Sequence, residues 1–182
     1  MAKDTVSRSL HDVGLAAWFG GTLANAVALN PAAAEADTAN GTGRVANAGW
    51  NKWTPVNAAA IGAHLVGSVG SLIGNRSRLS AQSGAGTTAI VKTGLTVLAL
   101  AVTGYSRVLG SKVAQDPSVP ALAGTEPAAS TPESVVKAQK QLAALQWVIP
   151  ALTGVLLVVS SYAGEEQRAS EVKKGILSRF TR

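Results

Sequence analysis

The sequence predicts an all-α, polytopic membrane protein: a four-transmembrane-helix bundle with a long kinked fourth helix and a basic C-terminal amphipathic tail. Three observations support this prediction. The segment 13–34 contains no charged residue over a length that crosses a bilayer as a helix. Three later segments repeat this apolar character. Charged residues make up only 14% of the chain, against about 25% in soluble domains.

The composition also limits the chemistry of the chain. Aromatic residues account for 4%, so the apolar content is mostly Ala, Val and Leu, which suits close helix packing in lipid. The absence of cysteine excludes disulfides, thiolate metal sites and cysteine nucleophiles. The formal net charge is +6. Because the basic residues flank apolar segments, they favour membrane lipids, not nucleic acid, as the partner.

The first predicted span is 13–34, and a polar loop, 35–54, follows it. Asn-Gly and Gly-Arg dipeptides in this loop favour turns over a continuing helix. Trp50 and Trp53 close the loop, and Trp147 lies in a later apolar segment. Tryptophan is enriched at membrane–water interfaces, so all three residues are predicted to be interfacial anchors.

The N-terminal segment also has features of a secretory signal peptide. Lys3 and Arg8 precede the apolar run, and the small residues 32–34 follow it as a potential cleavage site. The length of the run, its glycines and Asn25 favour a retained span instead.

The second and third spans are predicted at 55–74 and 89–109. Pro55 is in the first turn of a helix, where proline is tolerated. The second span is rich in Ala, Gly and Ser and contains His64, so we expect it inside the bundle. A Pro-rich extramembrane loop, 110–131, follows the third span.

The fourth helix is predicted to begin after Thr131, an N-cap followed by proline and an acidic residue. Its apolar part, 142–163, is the fourth span, and Pro150 predicts a kink. The tail, 165–182, combines basic residues with one apolar helical face, which favours a position on the membrane surface. A solvated tail is the alternative.

The distribution of basic residues predicts the orientation. Four spans place both termini on one side, which collects ten of the lysines and arginines, against six on the other side. The positive-inside rule then places both termini in the cytoplasm. The Ala- and Val-rich composition is compatible with a bacterial inner membrane.

Small residues recur four positions apart on the first two spans. Residues at this spacing share a helix face, and small ones let another helix approach closely. This face is expected either to pack within the bundle or to bind a helix of a partner protein. The residues are Ala16, Gly20, Ala24, Ala63, Gly67, Gly70, Ser71 and Gly74.

The two histidines are the main candidates for a polar site. His11 and His64 are predicted to differ in depth by roughly 15 Å at 1.5 Å per residue, which disfavours a haem between them. We expect His64 to face the bundle interior and to bond Asn25 or Thr153 at a similar depth, because buried polar groups need partners. A lipid or quinone headgroup is the alternative partner of His64. No metal and no cofactor are predicted.

The chain contains no G-x-S-x-G, Walker A, dinucleotide-binding or H-E-x-x-H motif, so no catalytic residue is predicted. Transport is disfavoured because the spans lack an internal repeat and central charges. The sequence therefore predicts a non-catalytic accessory or scaffold subunit that associates with other integral membrane subunits. The alternative is a small membrane protein that binds a lipid or quinone-like ligand near His64.

Overall fold

The computed structural model of the chain describes residues 2–76 and 85–165. These residues form four long helices and a small two-stranded hairpin, which confirms the all-α prediction. Each of the four helical segments is long and apolar enough to cross a membrane, as in a multi-pass membrane protein. The elements are α1 Ala2–Ala24, α2 Ala39–Gly74, α3 Ala85–Val113, β1 Ala121–Ala123, β2 Glu126–Pro127 and α4 Glu133–Glu165.

The helix of the first span changes its winding after α1. Pro31 lacks the N–H that an α-helix would use at this point, so the regular ladder is interrupted. The N–H of Asn30 instead reaches back to the carbonyl of Asn25, five residues earlier. After α1 the chain therefore continues through three short helical segments: a π-helical turn Asn25–Leu29, an α-helical turn Asn30–Ala32 and a 3₁₀ turn Ala33–Glu35.

The prediction of a polar loop at 35–54 is wrong over most of this segment, because α2 begins at Ala39. Thr38 starts the helix, since its Oγ1 accepts a hydrogen bond of 3.0 Å from the N–H of Gly41. Gly43, which favoured a turn, packs against the carbonyl of Val119 so closely that a Cβ would overlap it. This contact offsets the intrinsic cost of glycine within a helix.

Two glycines set the register between α1 and α2. A Cβ at Gly14 would lie 2.5 Å from the carbonyl oxygen of Ala60 and from the backbone nitrogen of His64. On the facing helix, a Cβ at Gly67 would overlap the backbone of His11. Each helix therefore places a glycine against the backbone of the other, and the antiparallel pair packs closely along this seam.

The remaining helices complete the bundle with α4 between α1 and α3. Phe19 of α1 lies over Gly154 of α4, and α4 continues without interruption through Pro150. Along most of their length α2 and α3 remain apart, which leaves one side of the bundle open. The central core consists of Leu15, Trp18, Ala99, Ile149 and Leu156.

The predicted Pro-rich loop 110–131 contains the hairpin, in which Ala121 pairs with Pro127. Ahead of the hairpin, Asp116 accepts hydrogen bonds from the backbone N–H and the hydroxyl of Ser118. These two bonds favour the charged carboxylate and lower the pKa of Asp116. The segment therefore forms an ordered cap on one end of the bundle.

Asn30 connects this cap to α2 and α4. Its carbonyl accepts a 3.0 Å hydrogen bond from the N–H of Gly124 in the hairpin turn. Its side-chain Nδ2 donates to Oε1 of Gln146 at 2.7 Å, and its Oδ1 accepts from Nε1 of Trp50 at 2.9 Å. Asn30 is only 3% exposed, so these bonds satisfy a polar side chain that is otherwise buried.

Candidate functional site

A cleft of about 320 Å³ separates α2 from α3 at the hairpin end of the bundle. Its walls are residues 47–61 of α2 and 100–113 of α3, and α4 and the hairpin turn lie behind them. At 1.5 Å per residue, these walls extend for about 20 Å along the helix axes. Ala58 and Gly104 line opposite walls and are exposed, so the cleft opens sideways to the surroundings of the bundle.

The polarity of the cleft changes along its length. The inner end is formed by Ile61, Leu100 and Ile149. The outer half of the α2 wall, 47–54, carries Asn, Thr and Trp side chains and precedes the predicted membrane span at 55–74. The α2 wall therefore places polar side chains at the predicted membrane surface, opposite Val113 and Ala114 of α3, and the apolar inner end lies within the predicted hydrocarbon layer.

Several polar side chains of the cleft lack partners. Of the nine buried, unpaired side-chain N and O atoms in the described residues, four belong to residues that line the cleft. Leaving such a group unpaired costs about 1–3 kcal/mol, so a cluster of them indicates a site that binds polar atoms. The four atoms are Asn47 Nδ2, Trp53 Nε1, Asn57 Oδ1 and Thr103 Oγ1.

Asn57 and Thr103 approach the cleft from opposite walls. Asn57 lies one turn outward from Ile61, and Thr103 lies one turn outward from Leu100. The two polar groups are thus at about the same level, just above the apolar inner end. Each is unpaired within residues 2–76 and 85–165, because the cleft keeps the two walls apart.

Arg107 is the charged residue that lines the cleft. It is exposed and forms no ion pair with any residue that the structure describes. The described lining residues include no aspartate or glutamate. The outer half of the cleft therefore has an uncompensated positive charge beside several hydrogen-bond donors.

Trp50 and Trp53 were predicted as interfacial anchors, but both are half-buried within α2 and line the cleft. Trp50 bonds Asn30, and the ring of Trp53 covers Gly21 of α1, where a Cβ would overlap it. Their position inside a helix follows from the early start of α2. Trp147, in contrast, is 51% exposed.

The two histidines lie side by side in the α1–α2 interface. Their ring centroids are 4.6 Å apart, so the predicted difference in depth is wrong. The error arises because α1 begins well before the predicted span, and the contact of Gly67 with the His11 backbone aligns the two helices. Nδ1 of His11 lies 2.7 Å from Oδ1 of Asp12.

His64 is fully buried, at 0% exposure, but its neighbours differ from the expected ones. Its Nδ1 lies 3.4 Å from the carbonyl oxygen of His11, and its Nε2 lies 3.4 Å from Oγ1 of Thr96. The hydroxyl of Thr153 instead donates to a carbonyl of its own helix, and Nδ2 of Asn25 is unpaired among the described residues.

The pair of His64 and Thr96 marks the inner end of the cleft. His64 lies one turn inward from Ile61 on α2, and Thr96 lies one turn inward from Leu100 on α3. Their contact joins the two walls below the cleft. His64, which the sequence singled out, therefore lies just below the inner end of the cleft and does not line it.

The small-residue faces divide between the inside and the outside of the bundle. Gly67 and Gly70 of α2 pack against α1, where a Cβ at either position would overlap α1 atoms. On α1, no described residue lies within 4 Å of a Cβ built at Gly20. The exposed members are Ala16, Gly20, Ala24 and Gly74, and the half-buried members are Ala63, Gly70 and Ser71.

Sequence reasoning missed the cleft residues because it treated 35–54 as a loop. Within a helix, Asn47, Trp50, Thr54 and Asn57 are three or four residues apart and share one face. This polar stripe becomes visible only when the Asn-Gly and Gly-Arg dipeptides are placed in a helix. Arg107, near the end of the third predicted span, was counted for orientation alone.

Comparison of the chain with family models, curated proteins and solved structures finds no match. Within the described parts of the chain, no three His, Asp or Glu side chains form a group that could hold a metal ion. The function is therefore inferred from the cleft itself.

Proposed function

We propose that the protein is a non-catalytic, multi-pass membrane protein that binds an amphipathic, lipid-like molecule in the cleft between α2 and α3. The observation that carries this proposal is the set of four unpaired polar atoms above an apolar inner end. A polar head would bind the atoms of Trp53, Asn57 and Thr103, which lie within about one turn of each other, and a hydrocarbon chain would fill the inner end. The proposal moves the lipid-binding hypothesis from His64 to the cleft that His64 closes.

The dimensions of the cleft support a ligand of this kind. Small-molecule sites have volumes of about 300–1,000 Å³, and the cleft, at about 320 Å³, is at the lower limit. It accommodates a head and the first part of one chain. The remainder of a longer chain would leave sideways, past Ala58 and Gly104, into the bilayer.

A pair of glycine substitutions on α3 tests the proposal. Gly104 lines the cleft and Gly94 does not, and no described residue lies within 4 Å of a Cβ at either position. A Cβ therefore fits at both positions without a collision. Gly104→Phe fills the cleft, and Gly94→Phe is the matched control on the same helix.

Native mass spectrometry of the detergent-purified proteins provides the measurement. We expect the wild-type protein and Gly94→Phe to retain one lipid per chain under activation that removes loosely bound lipid. We expect Gly104→Phe to lose it while keeping the helical content of the wild type. Equal retention by both variants would contradict binding in the cleft.

For the topology, we propose a bacterial inner-membrane protein with both termini in the cytoplasm and the hairpin cap on the opposite side. The excess of lysine and arginine on the side of the termini supports this orientation.

The kink that Pro150 predicts in the fourth helix stays a prediction. Apart from Glu165, the predicted basic tail, 165–182, lies outside the described residues.

A second candidate function, a scaffold that docks onto a larger membrane complex, is supported by the outward face of α1. Ala16, Gly20 and Ala24 are exposed on this face, and small residues allow close approach of a partner helix. Mild-detergent extracts run on native gels test this candidate. Docking predicts that wild type and Gly94→Leu migrate with a larger complex and that Gly20→Leu migrates alone.

A further inference from the structure

The unpaired atoms of the cleft favour a ligand head that accepts hydrogen bonds. The indole Nε1 of Trp53 and the Nδ2 of Asn47 can only donate, and the hydroxyl of Thr103 can also donate. Asn57 Oδ1 alone requires a donor. Asn47 lies about 15 Å farther out along α2 than Asn57, so the two donors that one head can reach together are Trp53 Nε1 and Thr103 Oγ1.

The positive charge of the cleft also favours a ligand head with oxygen atoms that accept hydrogen bonds. Arg107 lies two residues inside the predicted end of the third span, at the level of the polar half of the cleft. Arg107 is exposed, and none of the described lining residues is acidic. Its guanidinium can therefore pair with an anionic ligand in the cleft.

We infer that the cleft selects an amphiphile with an anionic head, a phosphate or carboxylate on at least one long hydrocarbon chain. Arg107 provides the charge, and Trp53, at the same level of the facing wall, has an unpaired donor. Guanidinium groups bind such oxyanions in a bidentate manner. The chain lies against Ile61 and Leu100. This inference rests on the proposed lipid-binding function and specifies the class of ligand.

The tryptophans of the cleft provide a direct assay. Trp50 and Trp53 line the cleft, whereas Trp18 is buried in the core and Trp147 is exposed away from it. A Trp147→Phe background removes the fluorescence that bulk lipid would quench. The probes are phosphatidylglycerol and phosphatidylcholine, each brominated near the head end of one acyl chain. Each lipid is titrated into detergent micelles over the same range of low mole fractions.

The charge is tested with a matched pair of substitutions in this background. Arg107→Gln removes the cation of the cleft. Arg44→Gln removes an exposed cation at the same end of the bundle that does not line the cleft. We expect saturable quenching by phosphatidylglycerol at about tenfold lower concentration than by phosphatidylcholine, a preference lost in Arg107→Gln and kept in Arg44→Gln.

The other outcomes separate the two proposals. Saturable quenching that is equal for both lipids would overturn the anionic head but leave lipid binding in the cleft intact. No saturable quenching by either lipid would overturn both. A preference that Arg107→Gln retains, or that Arg44→Gln also loses, would assign it to diffuse surface charge. Full displacement of phosphatidylglycerol by inorganic phosphate would show that the site binds the free anion instead of a lipid.

Discussion

At the scale of single residues, hydrogen bonds at the hairpin end decide how the bundle is closed. Asn30 uses its backbone carbonyl and both polar atoms of its side chain to connect the hairpin, α2 and α4. Trp50 and Gln146, the side-chain partners of Asn30, line the cleft.

The Asn30→Leu variant is expected to be less stable than the wild type. It leaves Nε1 of Trp50 and Oε1 of Gln146 without their partner, which costs about 1–3 kcal/mol of unfolding free energy. Asn40→Leu is the control, because Asn40 makes one exposed bond, to the carbonyl of Ser118. Thermal unfolding in detergent compares the two, and equal losses would refute the role of Asn30.

Thr103→Val is expected to separate stability from binding. In the lipid-free protein it removes an unpaired hydroxyl at nearly constant volume, so the stability should stay the same or rise slightly. The same change should reduce lipid retention, because the head loses a partner. Thr93→Val is the control, since Thr93 is exposed and bonds the carbonyl of Ala89 in its own helix.

The result is checked by thermal unfolding after delipidation and by native mass spectrometry before it. If Thr103→Val lowers the stability of the lipid-free protein more than Thr93→Val does, the hydroxyl has a partner within the protein. That outcome would remove Thr103 from the binding site.

At the scale of the helices, glycines explain why α1 and α2 form the closest pair. Gly67→Leu is expected to destabilise the protein by about 1–3 kcal/mol or more, because its side chain would enter the backbone of α1 at His11. Gly62→Leu on the same helix should have little effect, since no described residue lies within 4 Å of its Cβ. Thermal unfolding of the two variants tests this packing, and equal effects would contradict it.

The helices show how far sequence patterns predict this fold. Four apolar segments predicted four helices, and the Thr-Pro-Glu pattern predicted the start of α4 within two residues. The Thr131 hydroxyl does not cap the helix, because it accepts from the N–H of Ala128 and donates to the carbonyl of Pro120. The beginning of α2 was missed because Gly41 and Gly43 resemble turn residues, although Gly43 makes room for Val119. A contact between residues distant in sequence overrode a local preference, and such contacts are not visible in a local pattern.

The candidate site shows the same limit. Burial of His64 follows from its place in an apolar segment, but its contact with His11 depends on where α1 begins and on the register set by Gly14 and Gly67. A depth estimate based on apolar spans alone cannot include that register. The cleft depends on a separation between α2 and α3, which no property of either helix alone predicts.

At the scale of the whole molecule, the orientation in the membrane is testable because the chain has no cysteine. Ser111 lies near the hairpin cap and Gly74 at the opposite end, and both are exposed. A membrane-impermeant maleimide should label Ser111→Cys in intact cells and Gly74→Cys only after the membrane is opened. The reverse pattern would invert the proposed topology, and the cysteine-free protein is the control for background labelling.

The arrangement of the four helices gives the bundle one open side. Glycines bring α1 and α2 together, whereas Gly104 and Gly110 on the cleft wall of α3 have no described residue within 4 Å of a Cβ. Because these glycines have no side chain, they leave space between α2 and α3. In a protein that binds a lipid at this position, the lipid fills that space.

A crystal structure grown from a lipidic mesophase, with protein purified without delipidation, tests cleft occupancy most directly. Lipid binding predicts elongated density between α2 and α3. Its head would lie within hydrogen-bonding distance of Trp53 and Thr103, and its chain beside Ile61. A closed interface in which Asn57 bonds Thr103 directly, with no space between the walls, would contradict the proposed function.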